Sequence, residues 1–374
     1  MCKKNMIELN KDIRIGILTW YNHGNYGSAL QAYALKTFLH KQDYNVEIIP
    51  YVPQWERSLL HQPIKKRIKR LIKFLIAILL EFFDINIPKF SNRTYKFRRS
   101  YLQLNDYCTE YNISNYCKRY TTIISGSDQI WSPIVLDPIF LQNFITDKIN
   151  KISYAVSLGG NKMSQEQSII YKQYLSSFNS ISVREEEGKR VLNTLGINSS
   201  VHIDPTLLLN ASDYRSIAKS ISDIRKPYIF CYFLRTDREY KKYVEEYAYN
   251  RCLQVIGISF NKEDYQWMKN VSYAGPREWL WLIDNAEVVF TNSYHGTIFS
   301  LIFHTPFFNC IRFTDDDPIC QNFRLEQLDE YFDIKDYLIK KEVHIKMPYS
   351  FNKFDQRLLQ LQDNAKAYLH LNIR

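Results

Sequence analysis

An α/β chain of two Rossmann-like halves is predicted from three observations. Short apolar runs of four to six residues alternate with segments of helical periodicity, the pattern of βαβ units and a mostly parallel sheet. The 374 residues, 45% of them apolar, suffice for about two domains with full-sized cores. The strand–helix series also restarts after the step Asp204-Pro205, which places the hinge there.

In the first half, strands are expected at 13–19, 46–49, 121–125, 152–156, 181–183 and 201–203. A helix over 28–40 turns Leu30, Ala34, Leu35 and Phe38 inward. A second, over 184–195, is closed by Gly196 in the position after the cap that requires positive φ. The second half has strands at 228–234, 255–259, 287–292 and 307–311, with helices at 238–250, 276–285 and 296–303. Pro276 suits a first helical turn because it has no N–H to lose. A terminal helix over 354–371 is placed to cross back and brace the pair. The expected domains are therefore 1–205 and 206–374. Two such domains facing a cleft fit a GT-B-type glycosyltransferase architecture, and other two-domain α/β proteins as well. Fold alone does not fix chemistry.

Charge and cysteines narrow the class. The net charge of +10, from 49 basic and 39 acidic side chains, points to anionic partners: phosphorylated small molecules, a lipid surface or nucleic acid. The seven cysteines are scattered, with no C-x-x-C pair. They fit neither a disulfide framework nor a zinc site, and reduced cytosolic thiols are expected. With no signal-peptide pattern at the start, a cytoplasmic protein is expected. Residues 64–83 are expected to form a basic amphipathic helix. Ile64, Ile68, Leu71, Leu75, Ile78, Leu79 and Phe82 share one face, opposite Lys66, Lys69, Arg70 and Lys73. Its apolar run is shorter than the roughly 20 residues that span a bilayer. Two readings remain open: a helix packed on its own domain, or an interfacial helix on anionic lipid at the inner face of the plasma membrane.

Four stretches carry chemistry. In Thr291-Asn292-Ser293-Tyr294-His295-Gly296-Thr297, a histidine stands where an apolar strand hands over to an apolar helix. There a helix N-terminus can hold an anion and His295 can donate a proton to it, with Asn292, Ser293 and Gly296 beside it. The loop after the first strand holds His23, Asn25 and Tyr26 with Gly24 and Gly27. Its glycines permit close approach to a phosphate or sugar, but it is neither a Walker A loop nor a full dinucleotide fingerprint. The cluster Asp128-Gln129-Ile130-Trp131 reads equally as a sugar site or as a capped helix start with Trp131 in the core. Arg184, directly after a strand, has a fork that suits a carboxylate or phosphate. The glutamates that follow it suit a helix dipole. His304 reads as a capping or surface residue, and His202 and His344 as structural.

Taken together, Asn25-Tyr26-Gly27-Ser28 through Leu30-Gln31-Ala32, Gly126 to Trp131, Tyr154-Ala155-Val156-Ser157, Val183-Arg184-Glu185, Asp204-Pro205-Thr206-Leu207-Leu208 and Asn292 to Gly296 resemble the polysaccharide pyruvyl transferase family. The resemblance implies a GT-B-like fold. It also implies transfer of pyruvate from phosphoenolpyruvate to sugar hydroxyls as a ketal, in a bacterial capsular or exopolysaccharide. It makes His295 the expected general acid and Arg184 a donor-site cation, with Arg324 the better and Arg312 the second match for a further basic residue. Asp128 would serve the attacking hydroxyl as base or orienter, and His23, Asn25, Tyr26, Gln129 and Trp131 would face the acceptor. Phosphoenolpyruvate is a co-substrate, and neither metal nor cofactor is called for. The acceptor is a sugar, conjectured to be a lipid-diphosphate-linked oligosaccharide; residues 50–115 lie outside the shared motifs. Rival readings are a nucleotide-sugar glycosyltransferase of the same pathway, a non-catalytic carbohydrate-binding scaffold, and a nucleic-acid binder suggested only by charge and 15% aromatic content.

Overall fold

A computed structural model describes residues 12–21, 25–58, 92–104, 106–145, 148–160, 163–234, 238–311, 321–339 and 351–374. The predicted basic helix over 64–83 and His344 lie outside the described residues. The chain forms two compact units, and no described helix is long and apolar enough to cross a membrane.

The first unit comprises described residues within 12–58 together with Tyr95–Leu209 and Gln360–Arg374. Strands β1 (Arg14–Leu18), β2 (Asn45–Ile48), β3 (Thr122–Ser125) and β4 (Asn150–Ser153) are parallel, in the order β2-β1-β3-β4. Strands β5 (Ser182–Val183) and β6 (Ser200–Val201) pair in parallel. The bridges Ile152 to Ser180 and Val156 to Val183 carry the sheet on from β4 to β5. Ile15, Ile17, Ile123, Ile124 and Ile152 are fully buried, as expected where helices cover both faces of a parallel sheet. Helix α1 (Tyr26–His40) crosses from β1 to β2. It begins earlier than expected because Asn25 caps it, Oδ1 accepting from the Gly27 N–H at 2.9 Å. Helix α2 (Gln165–Leu175) was not foreseen, and α3 (Glu186–Thr194) ends before Gly196, whose φ is +75°.

The second unit contains Asn210–Leu359 and described residues 92–94. Its strands are β7 (Tyr228–Phe233), β8 (Gln254–Ser259), β9 (Lys269–Asn270), β10 (Val288–Thr291), β11 (Phe307–Cys310) and β12 (Leu338–Ile339). They are all parallel, in the order β12-β11-β10-β7-β8-β9. This is the doubly wound order of a dinucleotide-binding sheet. Helices α4 (Arg238–Arg251), α5 (Pro276–Asp284), α6 (Tyr294–Phe303) and α7 (Phe323–Phe332) complete it. Every residue of α6 from His295 to Phe303 is buried. The α/β class and the two Rossmann-like units expected from the sequence are thus present.

The last helix, α8 (Phe351–Asn372), belongs to the second unit up to Leu359 and to the first from Gln360. The division falls at Leu209/Asn210 rather than 205/206. The 3-10 turn Pro205–Leu208 packs on α1, and so stays with the first unit.

Within the first unit, the Tyr368 ring of α8 lies tilted against His202, ring centroids 4.6 Å apart, and Tyr154 stacks near the same imidazole at 6.2 Å. Desolvation holds the His202 pKa down, from 6.5 to about 4. The folded protein therefore keeps a neutral ring where the unfolded chain takes up a proton. Stability is full above about pH 6.5 and is lost as pH falls from there towards about 4. The ceiling is about 3 kcal/mol, and solvent contact of the half-buried ring reduces it to roughly 1–2 kcal/mol. Urea midpoints between pH 8 and 4 will show this loss in the native protein and a shallower one in His202→Gln.

Candidate active site

In each sheet the chain reverses its direction of strand addition at one place, the position at which open α/β sheets hold ligands, beyond the carboxyl ends of the strands. In the second unit the reversal lies between β7 and β10. The loop leaving β10 is Asn292-Ser293, and α6 begins directly after it. Asn292 Oδ1 accepts from the Leu234 N–H at 2.8 Å, tying together the ends of the two strands that flank the reversal. Ser293 caps α6. Its Oγ accepts from the Gly296 N–H at 3.3 Å, its carbonyl accepts from the Thr297 hydroxyl at 3.2 Å, and its own N–H donates to Thr291 Oγ1 at 3.1 Å. A Cβ on Gly296 would meet Thr291 Oγ1 at 2.4 Å. The glycine is therefore fixed by the close approach of α6 to the end of β10.

His295 occupies the first turn of α6 and is 6% exposed. Its ring meets Tyr294 edge to face, centroids 5.3 Å apart. Arg324, in the first turn of α7, places its guanidinium carbon 5.7 Å from the Tyr294 centroid and hydrogen-bonds Gln321. Imidazole, phenol and guanidinium are thus grouped at the positive end of a buried helix, where an anion would be stabilised. Arg312 lies outside the described residues.

In the first unit the reversal falls between β1 and β3, at Asn25-Tyr26-Gly27-Ser28 and Ser127-Asp128. The Ser28 hydroxyl donates to Asp128 Oδ2, and Asp128 Oδ1 accepts from the Gln129 N–H at 2.9 Å. Asp128 is 9% exposed and has φ +64°, a conformation that costs a non-glycine residue about 1 kcal/mol or more. Gln31, fully buried, is the clamp. Its amide donates to Thr19 Oγ1 at 3.0 Å and to the Trp20 and Ser28 carbonyls at 2.9 Å, while its Oε1 accepts from the Ser127 N–H at 3.1 Å. The sequence places Ser28 and Gln31 in one motif but assigns neither a role. Their partners stand up to 100 residues away. Tyr26 is buried and Gln129 half-buried beside this loop, and His23 lies outside the described residues.

Two expected ligand residues turn inward. Trp131 is fully buried; its Nε1 donates to the Phe140 carbonyl at 2.9 Å and its ring packs on Phe178. With both its polar and apolar parts engaged in the core, it is a core residue and offers no face to a sugar. Arg184 is 1% exposed. Its Nε donates to Glu185 and its Nη1 to Asp204, each at 2.8 Å. Asp204 Oδ1 also accepts from the N–H and hydroxyl of Thr206, at 2.9 and 2.7 Å. The Val-Arg-Glu and Asp-Pro-Thr motifs are therefore two sides of one buried ion triad, and the guanidinium expected at the donor is met by carboxylates of its own unit.

The family model described as polysaccharide pyruvyl transferase matches residues 25–312. No curated protein matches the chain. Among solved structures, the chain is similar to UDP-GlcNAc 2-epimerase from Methanocaldococcus jannaschii, at 11% identity over 94% of this chain and 92% of that one, with a TM-score of 0.47. It is also similar to UDP-GlcNAc 2-epimerase from Neisseria meningitidis (8% identity, 96% and 94% coverage, TM-score 0.46) and to E. coli ADP-heptose LPS heptosyltransferase II (12%, 93% and 99%, TM-score 0.36). The family match runs from the cap of α1 beyond α6 and takes in both strand reversals; the chain belongs to the polysaccharide pyruvyl transferase family.

Proposed function

We propose that the protein transfers pyruvate from phosphoenolpyruvate to two hydroxyls of a sugar, forming a cyclic ketal during assembly of a bacterial capsular or exopolysaccharide. The observation that carries this reading is His295 in the first turn of α6, at the strand reversal of the second unit, with Arg324 against the adjoining Tyr294 ring. Phosphoenolpyruvate brings a carboxylate and a phosphate, which the helix end and a fork-shaped cation suit. A proton from His295 to the methylene carbon makes C2 electrophilic, and one sugar hydroxyl adds there. A second hydroxyl then displaces phosphate and closes the ring. The step needs an acid beside bound anions.

From the first unit we assign Asp128 to the attacking hydroxyl. Its two oxygens already accept from Ser28 and Gln129, which favours orienting over proton removal. Arg184 drops out of donor binding. The acceptor is a sugar, free or carried on a lipid diphosphate, and the site of action is the cytoplasm or the inner membrane face.

The test is incubation with phosphoenolpyruvate and free or lipid-linked oligosaccharides, following phosphate release and a pyruvyl mass gain on the sugar. Both are expected together. Turnover with a sugar nucleotide and none with phosphoenolpyruvate would replace this reading with a glycosyltransferase.

A further inference from the structure

Phe260 follows β8 directly, one strand over from the reversal between β7 and β10, and is 66% exposed. The backbone that carries it is tightly braced. Its own N–H donates to the Phe233 carbonyl at 3.2 Å, at the end of β7 next to Leu234, whose N–H holds Asn292. On one side of it, the Tyr265 hydroxyl accepts from the Ser259 N–H at 3.0 Å and donates to the Ser259 carbonyl at 2.7 Å. The Ser259 hydroxyl donates to Asp264, which is 4% exposed, and accepts from the Asn261 N–H at 3.0 Å. Asn261 in turn caps the following 3-10 turn through the Glu263 N–H.

Six hydrogen bonds thus fix a turn whose central side chain contributes little to the core. A phenyl ring held in water by a rigid support loses little freedom when a ligand covers it. A sugar ring presents an apolar C–H face that an aromatic ring covers well. The equally exposed Tyr107 and Tyr111, and Tyr249 on α4, do not stand at the carboxyl ends of the second sheet.

We infer that Phe260 is a stacking platform for a pyranose ring of the acceptor, seating the sugar beside the donor held at the start of α6. This rests on the reading that the β7/β10 crevice is the reaction centre. Phe260 then selects the acceptor by the shape of its apolar face and leaves donor binding alone.

Saturation-transfer NMR tests the platform without turnover. Methyl glucoside, galactoside, mannoside and N-acetylglucosaminide serve as probes in the presence of phosphoenolpyruvate, with the full chain as native protein, Phe260→Ala, Phe260→Trp and the control Tyr249→Ala. At least one pyranoside is expected to receive saturation on its C–H face from native protein, Phe260→Trp and Tyr249→Ala, with the signal falling roughly tenfold in Phe260→Ala. In the transfer assay, Phe260→Ala should raise the acceptor KM by a similar factor and leave the phosphoenolpyruvate KM within about twofold. An unchanged signal in Phe260→Ala, a rise in the donor KM instead, or no saturation of any pyranoside by native protein overturns the proposal. A signal that depends on Phe260 in a protein that transfers no pyruvate leaves the platform standing and sinks the pyruvyl-transfer reading.

Discussion

His295→Gln is expected to slow pyruvyl transfer by about 10²–10⁴-fold, the usual contribution of a positioned general acid, with no shift in the unfolding transition. Glutamine approximates the volume and hydrogen-bonding capacity of imidazole but cannot deliver a proton to carbon. Several supports of the site come from other groups. Ser293 caps α6 by its own oxygens, Gly296 sets the approach to Thr291, and Asn292 ties β10 to Leu234. The loss should therefore fall on kcat and kcat/KM together, the signature of an interaction made in the transition state. Run in D₂O, the native enzyme should place one deuterium in the methyl group of the ketal, and His295→Gln should form that product only at its residual rate. A raised phosphoenolpyruvate KM with kcat unchanged would instead make His295 a donor ligand and leave the acid to be found elsewhere.

The sequence was most legible where one physical cause acts locally. β7, β10 and the body of α6 are mostly apolar because both faces of the sheet and every side of the helix are covered. A strand running into such a helix with a histidine at the joint locates the crevice. Elements with thin apolar stripes were missed. Helix α2 buries only Tyr171 and Leu175, and α7 only Leu325, Leu328 and Phe332, while β9 and β12 are two residues each. Roles that depend on distant partners were equally hidden. Trp131 reads as a sugar platform or a core residue until the Phe140 carbonyl and the Phe178 ring appear beside it. Ser28 is an ordinary first-turn residue until Asp128 arrives from β3. Phe260 is one aromatic among fifty-six by composition, and only the bracing of its turn at the carboxyl end of β8 sets it apart.

Arg184 is the sharpest such case, and its replacement carries the second large effect: Arg184→Met should destabilise the protein by about 3–5 kcal/mol, the cost of leaving buried charge without its partner. Arg184, Glu185 and Asp204 are 1%, 2% and 0% exposed, so water cannot take over for the lost guanidinium. Asp204 also holds the turn Pro205–Leu208 through Thr206. That turn packs on α1, the helix whose Ser28 and Gln31 fix Asp128 and the loop after β3. Loss of the triad therefore loosens the first-unit crevice as well as the core. A urea titration measures the stability loss, and the triple variant Arg184→Met, Glu185→Gln, Asp204→Asn separates its causes. If the penalty is stranded charge, neutralising all three positions recovers most of the lost stability, because a buried ion group replaced as a whole costs little. Asparagine at 204 keeps an oxygen for the Thr206 N–H, so the turn survives the exchange. If Arg184 instead binds the donor, Arg184→Met unfolds at the native midpoint while its phosphoenolpyruvate KM rises by an order of magnitude or more, and the triple variant recovers nothing. With the guanidinium already bonded to two carboxylates at 2.8 Å, an incoming trianion would have to displace both. A cation in that position holds its own unit together, and the proposed mechanism assigns donor binding to Arg324 and the start of α6.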